Sequence, residues 1–439
     1  MFSDRTASVE ARTRSGAAWY PWALVGMLFL LMFINFADRS VLGLAAVPMM
    51  EEMRLSPVQW GTVGSSFYYL FSVSIVVFGF VADRVPAKLV LALLASIWAI
   101  TQFPMVGAVS LPVLIASRVA LGAGEGPAFT VALHAAYKWF PSDKRALPTA
   151  VIAIGASIGI TIATPILVDV IYAYSWHVAF CLLGVLVALW VVAWLMFAEE
   201  GGVSDRSMAS GEPAEARVSY LRLIACPTVL GLLIAGWGAT WSLSLVVVWV
   251  PAFMEKGLGY SVDTTKWLVA ATWLGTATVV PLCGWLSQYW RVRGYSSRAT
   301  RGFPAVAGMI VSGILSVIGL RLDTGLPQVA IFAVAFAIGG IIFTLSPTIV
   351  DDIVPLRQRG ALLGIVAAIQ STGGLVAPAV TGHIIAAGAS PHDGYVSAFM
   401  LAACLLAASG VVAMLLIRPE ADRARLAARP GRASLATST

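Results

Sequence analysis

The sequence predicts an all-α integral membrane protein, with twelve transmembrane helices arranged as two pseudo-symmetric six-helix bundles. Three observations lead there. Of 439 residues, 59% are hydrophobic and only 11% charged, against a charged share of about 25% in ordinary soluble domains. The apolar residues fall into a dozen long runs, each near the roughly 20 residues that a helix needs to cross a bilayer. A pattern also recurs 214 residues apart: Pro141, Arg145, Ser157 and Gly159 are answered by Pro355, Arg359, Ser371 and Gly373. Parallel repeats of this kind place a substrate site near the bilayer midplane between the two halves.

Residues 1–21, with Arg5, Arg12 and Arg14, read as a cytoplasmic N-terminal tail. An N-terminal bundle follows over 22–198, with spans at about 22–45, 58–81, 88–108, 111–135, 147–172 and 178–198. Its first apolar segment is too long for a signal-peptide core and reads as a retained helix. The polar stretch 199–225 holds Gly201, Gly202, Gly211 and Pro213, the composition of a cytoplasmic linker. The C-terminal bundle occupies 226–417, with spans at about 226–252, 265–288, 303–321, 326–350, 361–387 and 394–417. A second cytoplasmic tail, 418–439, carries Arg423, Arg425, Arg429 and Arg432, which suit contact with anionic lipid.

Twelve spans put both termini on one side. Of 28 Lys and Arg, Arg54, Lys256, Lys266 and Arg321 fall on the opposite side and Arg39 and Arg118 within spans; all others share the side of the termini. By the positive-inside rule that side is cytoplasmic. The net charge of +6 thus reports orientation, not a nucleic-acid partner. The excess of Arg over Lys and the abundance of Ala suggest a GC-rich bacterial genome, so the expected location is a bacterial inner (plasma) membrane.

Four charges interrupt the apolar spans: Asp38 and Arg39 in the first, Arg118 and Glu125 in the fourth. Each costs roughly 2.5–3.5 kcal/mol to insert, so such residues face a partner or a water-filled path. Arg118 and Glu125 share a helix face, about 10 Å apart along the axis. Counting the rise from each helix end places Asp38, Arg39 and Arg118 together in the outer half, with Glu125 deeper. A purely structural ion pair between helices is the competing reading. Gly122, Gly124 and Gly126 superficially resemble a nucleotide-binding loop, but no strand precedes them, and glycines there admit a close neighbouring helix instead. Cys181, Cys226, Cys283 and Cys404 lack the spacing of a disulfide framework or metal site. The four histidines are scattered and form no convergent catalytic set, which argues against an enzyme.

The loop after the second span reads Gly79-Phe80-Val81-Ala82-Asp83-Arg84-Val85-Pro86-Ala87-Lys88. With twelve spans and repeated halves, it resembles the signature loop of the major facilitator superfamily. That resemblance implies the major facilitator fold, and a cytoplasmic latch made by Gly79, Asp83, Arg84 and Lys88 that stabilises the outward-open state. The corresponding second-half position has Gln288 in place of the acid, so a second latch should be weaker. More narrowly, Asn35-x-x-Asp38-Arg39, Arg118-x-x-x-Gly122-x-x-Glu125-x-Pro127 and Lys138-Trp139-Phe140-Pro141 resemble the anion:cation symporter branch. Its members include sugar-acid, tartrate and phthalate transporters and the sialin-related carriers. The resemblance implies proton coupling through Asp38 and Glu125, with Arg39 and Arg118 binding the anion or pairing with those acids.

The second half departs from the sugar-acid members. Ala367 and Ser371 flank Gln370 where those members carry asparagines, Phe36 replaces a tyrosine, and Ser346-Pro347 stands where several have tryptophan. Fewer amides and hydroxyls leave fewer partners for a polyhydroxylated ligand. Trp237, Trp241, Ser242 and Ser244, with Tyr68 and Tyr69, suit a flatter and less hydroxylated acid; lipid contact or packing is the competing reading of the aromatics. The expected substrate contacts are Arg39, Arg118, Asn35, Tyr68, Tyr69, Trp241, Ser244, Gln370 and Ser371.

The expected activity is proton-coupled uptake of a small organic anion, a carboxylate such as a sugar acid or aromatic acid, by alternating access. A monomer in lipid needs no cofactor for this, only the proton gradient. The rivals are an organic-anion or organophosphate antiporter, a drug exporter, and a membrane sensor or receptor. An organophosphate antiporter should supply a membrane arginine from the second half, and spans seven to twelve contain none. Drug exporters of this superfamily carry a Gly-Pro pair in the fifth span, where this chain has Thr164-Pro165. A sensor would need an output domain.

Overall fold

The structure is a computed structural model in which residues 19–81, 84–141, 144–201, 218–355 and 358–427 are described. Backbone polar groups in hydrocarbon must be satisfied within their own segment, so the apolar runs fold as helices. Eleven helical stretches of the described residues are long and apolar enough to cross a bilayer. In the first half the spans are Tyr20–Leu44, Pro57–Val81, Ala87–Gln102 extended by Phe103–Val106, Ala146–Ala173 and Trp176–Phe197. The fourth crossing is made of two shorter helices, Leu111–Glu125 and Ala128–Tyr137, interrupted at Gly126-Pro127. In the second half the spans are Pro227–Val248, Val262–Val292, Phe303–Gly319, Leu326–Gly339 with Ile341–Ile353, Arg359–Ala387 and Pro391–Leu416.

Side chains that accept from a free N–H set several helix starts: Ser175 accepts from Val178, Ser261 from Thr264 and Ser390 from Asp393. Short helices also form in stretches read as linker and tail, at Tyr220–Ile224 and Pro419–Ala427. The second is pinned by the buried Asp422, which accepts from the backbone N and Oγ1 of Thr228 at 2.9 and 2.6 Å.

The repeat is visible in three dimensions. The fourth crossing breaks at Gly126 and the tenth at Gly340, 214 residues later. Arg145 Nε donates to Phe140 O at 3.0 Å, and Arg359 Nε repeats that bond to Val354 O at 3.1 Å with the same offset.

The halves touch mainly through the second and eleventh spans and through the first and fifth with the seventh and eighth. On the face away from the termini the contact is tight. At Gly61 a side chain would collide with Pro378 O, so only glycine lets these two helices approach so closely. Ion pairs cross the same rim between Lys256 and Glu51 and between Lys266 and Asp169, each 2.6 Å long, and Tyr172 donates to Glu255 at 3.0 Å. Further in, Ser72 and Ser371 share a 2.6 Å hydrogen bond. Beyond it, toward the face of the termini, no hydrogen bond or ion pair joins the halves among the described residues. Among the described residues, the polar contacts between the halves gather toward the face away from the termini.

Candidate functional site

The four membrane charges come from two helices that the third and second spans hold together. Asp38 and Arg39 are neighbours on the first helix, so their side chains leave it about 100° apart and meet different partners. Asp38 is fully buried, and both its carboxylate oxygens accept from Gln102 Nε2, at 2.7 and 2.8 Å. Arg39 turns the other way, and its Nε donates to Glu125 Oε2 at 2.5 Å with the Glu125 side chain fully shielded. Asp38, Arg39 and Arg118 lie in one group, and Glu125 joins it through Arg39. A rise-based depth ignores the reach and azimuth of an arginine, and those bring Arg39 to Glu125.

Arg118 reaches the centre of this group because Gly122, one turn on, lets the fourth crossing lie against the backbone of Phe67 on the second helix. Its guanidinium sits 5.4 Å from the Phe67 ring, while that of Arg39 lies 4.8 Å from Phe36 and 5.1 Å from Phe71. Arg118 feels the charges of Asp38, Glu125 and Arg39. Yet its Nε and Nη1 are buried without a hydrogen-bond partner, as are Glu125 Oε1 and Asn35 Nδ2. A buried guanidinium with spare donors is costly unless something accepts from it. Arg118 lines a cavity of about 30 Å³ with Arg39, Tyr68, Phe36 and, from the second half, Leu243 and Trp273.

The other anticipated contacts divide. Tyr68 lines this cavity and lies over Gly374 of the eleventh span. Tyr69, one residue on, points away and is half exposed, so it leaves the site. Trp241 is packed in the core against Trp237, and the Ser244 hydroxyl donates to Trp241 O, which places both off the cavity wall. Gln370 donates to Leu232 O across its own half, and Ser371 meets Ser72 at the junction of the halves. Gln102 escaped the sequence reading: a single amide near the end of an apolar run signals little until Asp38 is seen beside it.

At the face of the termini, Asp83 lies outside the described residues. Gly79 borders open space. Arg84 N bonds Val81 O, and Lys88 N donates to Glu200 Oε1 at 2.9 Å. In the second half Gln288 accepts from Arg301 at 3.3 Å, but Arg301 has its acid elsewhere, in Asp352 at 2.7 Å. The eighth, ninth and tenth spans are joined there without an acid at position 288.

Comparison with known proteins now decides the family. The model of the Major Facilitator Superfamily matches residues 28–296 and 232–438. The chain belongs to that superfamily. A hexuronate transporter of Bacillus subtilis is 26% identical over 404 residues, covering 89% of this chain and 93% of its own. A D-galactonate transporter of Escherichia coli is 23% identical over 401 residues, covering 86% and 93%. Such relatives agree with the anion:cation symporter branch. Among solved structures, a bacterial homologue of the human lysosomal transporter Spinster, inward-facing and unoccupied, superposes with a TM-score of 0.69 over 94% of this chain and 98% of that one, at 18% identity. This superfamily protein is a multi-pass membrane transporter and not an enzyme, as its relatives are.

Proposed function

We propose that this transporter carries a small organic carboxylate inward together with a proton, by alternating access across a bacterial inner membrane. The observation that supports this most is the buried, unpartnered edge of Arg118 beside the Arg39–Glu125 pair, at the junction of the two halves. A carboxylate there accepts charge-assisted hydrogen bonds from Arg118 and competes with Glu125 for Arg39. Protonating Glu125 cancels its hold on Arg39 and leaves the guanidinium to the substrate, so proton and anion favour each other's binding. Asp38, held by Gln102, is the second acid able to take a proton.

The charges also suggest a ratio. Asp38 and Glu125 balance Arg39 and Arg118, so one proton compensates one substrate carboxylate and the loaded site stays neutral. An uncompensated charge would be expensive at this depth. With the basic termini placed inside by the positive-inside rule, the rim closed by Lys256–Glu51 and Lys266–Asp169 is the external one. The test is uptake into proteoliposomes from a panel of labelled carboxylates under an inward proton gradient. Accumulation that an uncoupler collapses is expected; gradient-independent exchange alone would replace symport by antiport.

A further inference from the structure

The repeat allows the charged site to be located a second time, in the other half. At the offset of 214, Gln102 corresponds to Ser316, Arg118 to Phe332 and Glu125 to Gly339. Counting back equally from the helix ends Leu44 and Val248, Asp38 corresponds to Ser242. All four counterparts line one cavity of about 410 Å³, walled by the seventh to tenth and twelfth spans, with Phe36 of the first span and Ala156 and Ser157 of the fifth closing its side toward the first half. Where the first half holds charge, the second half has opened an apolar chamber.

We propose that this chamber receives the body of the substrate while Arg118 and Arg39 hold its head, and that the substrate is a monocarboxylate with an apolar body of about two fused rings. The inference rests on the carboxylate reading of the arginine site. The two spaces adjoin across an aromatic partition: the Arg39 guanidinium lies over Phe36, Phe36 meets the Trp273 ring at 6.4 Å, and Trp273 meets Phe336 at 5.4 Å, so a ligand spans both once Phe36 or Trp273 turns aside. Phe36 and Trp273 border both the small polar cavity and the large apolar one. A ligand bridging them has its charge at one end and rings at the other.

Size and polarity exclude a sugar body. A cavity of about 150 Å³ lined with apolar side chains already holds a benzene, so this chamber accommodates a larger ring system. No charged or amide side chain lines it. Its hydroxyls are largely committed: Ser242, Thr272, Thr276 and Ser316 each donate to the carbonyl four residues back on their own helix. A polyhydroxylated acid would find acceptors but few donors there, and each unmatched group is a penalty. Aromatic walls reward flat rings instead.

The experiment is calorimetric binding to the full-length protein in lipid nanodiscs, with 2-naphthoate, benzoate and glucuronate as probes. Naphthoate should bind at least tenfold more tightly than glucuronate. Ser242→Phe, which puts a ring into the chamber, should weaken naphthoate at least tenfold while changing benzoate less than threefold. Phe336→Ala, which widens the chamber, should improve binding of a three-ring anthracene carboxylate relative to naphthoate and so guards against a misfolded first variant. Glucuronate binding as tightly as naphthoate, or both chamber variants leaving the ranking unchanged, would overturn the apolar-body assignment alone. Failure of all three carboxylates to bind would overturn it together with the carboxylate reading of Arg118.

Discussion

Replacing Glu125 by Gln removes the charge that holds Arg39 while keeping an acceptor of the same shape. In the structure the Glu125 side chain is fully shielded and Arg39 retains 18% of its side-chain exposure, so the pair is buried but bordered by the cavity. A hydrogen bond to a charged group in such a place contributes about 1.5–3 kcal/mol. A substrate carboxylate must displace Glu125 to claim Arg39 in the wild type, and in Glu125→Gln that competition is gone. At about 1.4 kcal/mol per factor of ten, the variant should bind its carboxylate roughly tenfold to a hundredfold more tightly at neutral and alkaline pH. Its affinity should vary little with pH, since the competing proton site is lost. The same variant should exchange substrate between the two sides of a vesicle yet fail to accumulate it under a proton gradient. Calorimetry across pH and paired counterflow and gradient-driven assays read these outcomes. Weaker binding at every pH, or full accumulation, would refute the view that Glu125 competes with substrate and carries the proton.

Asp38→Asn should likewise abolish gradient-driven accumulation while exchange continues, measured in the same vesicles. Gln102→Leu leaves the fully buried Asp38 without its donor, and thermal unfolding should show a loss of about 1–3 kcal/mol that Asp38→Asn in the same chain partly restores. Gly61→Val should disfavour the closed external rim, because its side chain would meet Pro378 O; spin labels across the rim should report a larger open population, and an unchanged distance distribution would contradict the packing. Outside the spans, burial and the nearby Glu51 raise the Glu255 carboxyl above its usual range, opposed by Tyr172 and Lys256. A raised carboxyl favours the closed rim fully below its ordinary value of about 4.5 and loses that contribution as pH rises through the elevated one. Rim closure should therefore decline as pH rises from about 4.5 through that elevated value and level off above it, and Glu255→Gln should flatten the decline.

Local chemistry was enough to specify the membrane class, the helical spans and the two halves, because hydrocarbon leaves the backbone no other option and apolar run length is a one-dimensional quantity. The repeat was legible for the same reason: Arg145 and Arg359 close their turns with neighbours only five residues away. The four membrane charges also announced themselves, since each is anomalous within its own run. Partner choice was not legible. Asp38 chose Gln102 and Arg39 chose Glu125 through the azimuths of four helices, and the break at Gly126 and the close approach at Gly122 set where those side chains meet. Which of two adjacent tyrosines faces the site is likewise a rotation of about 100°, invisible in composition. The chamber in the second half could be found only by folding the chain, for its walls come from helices far apart in sequence and its meaning lies in what they replace.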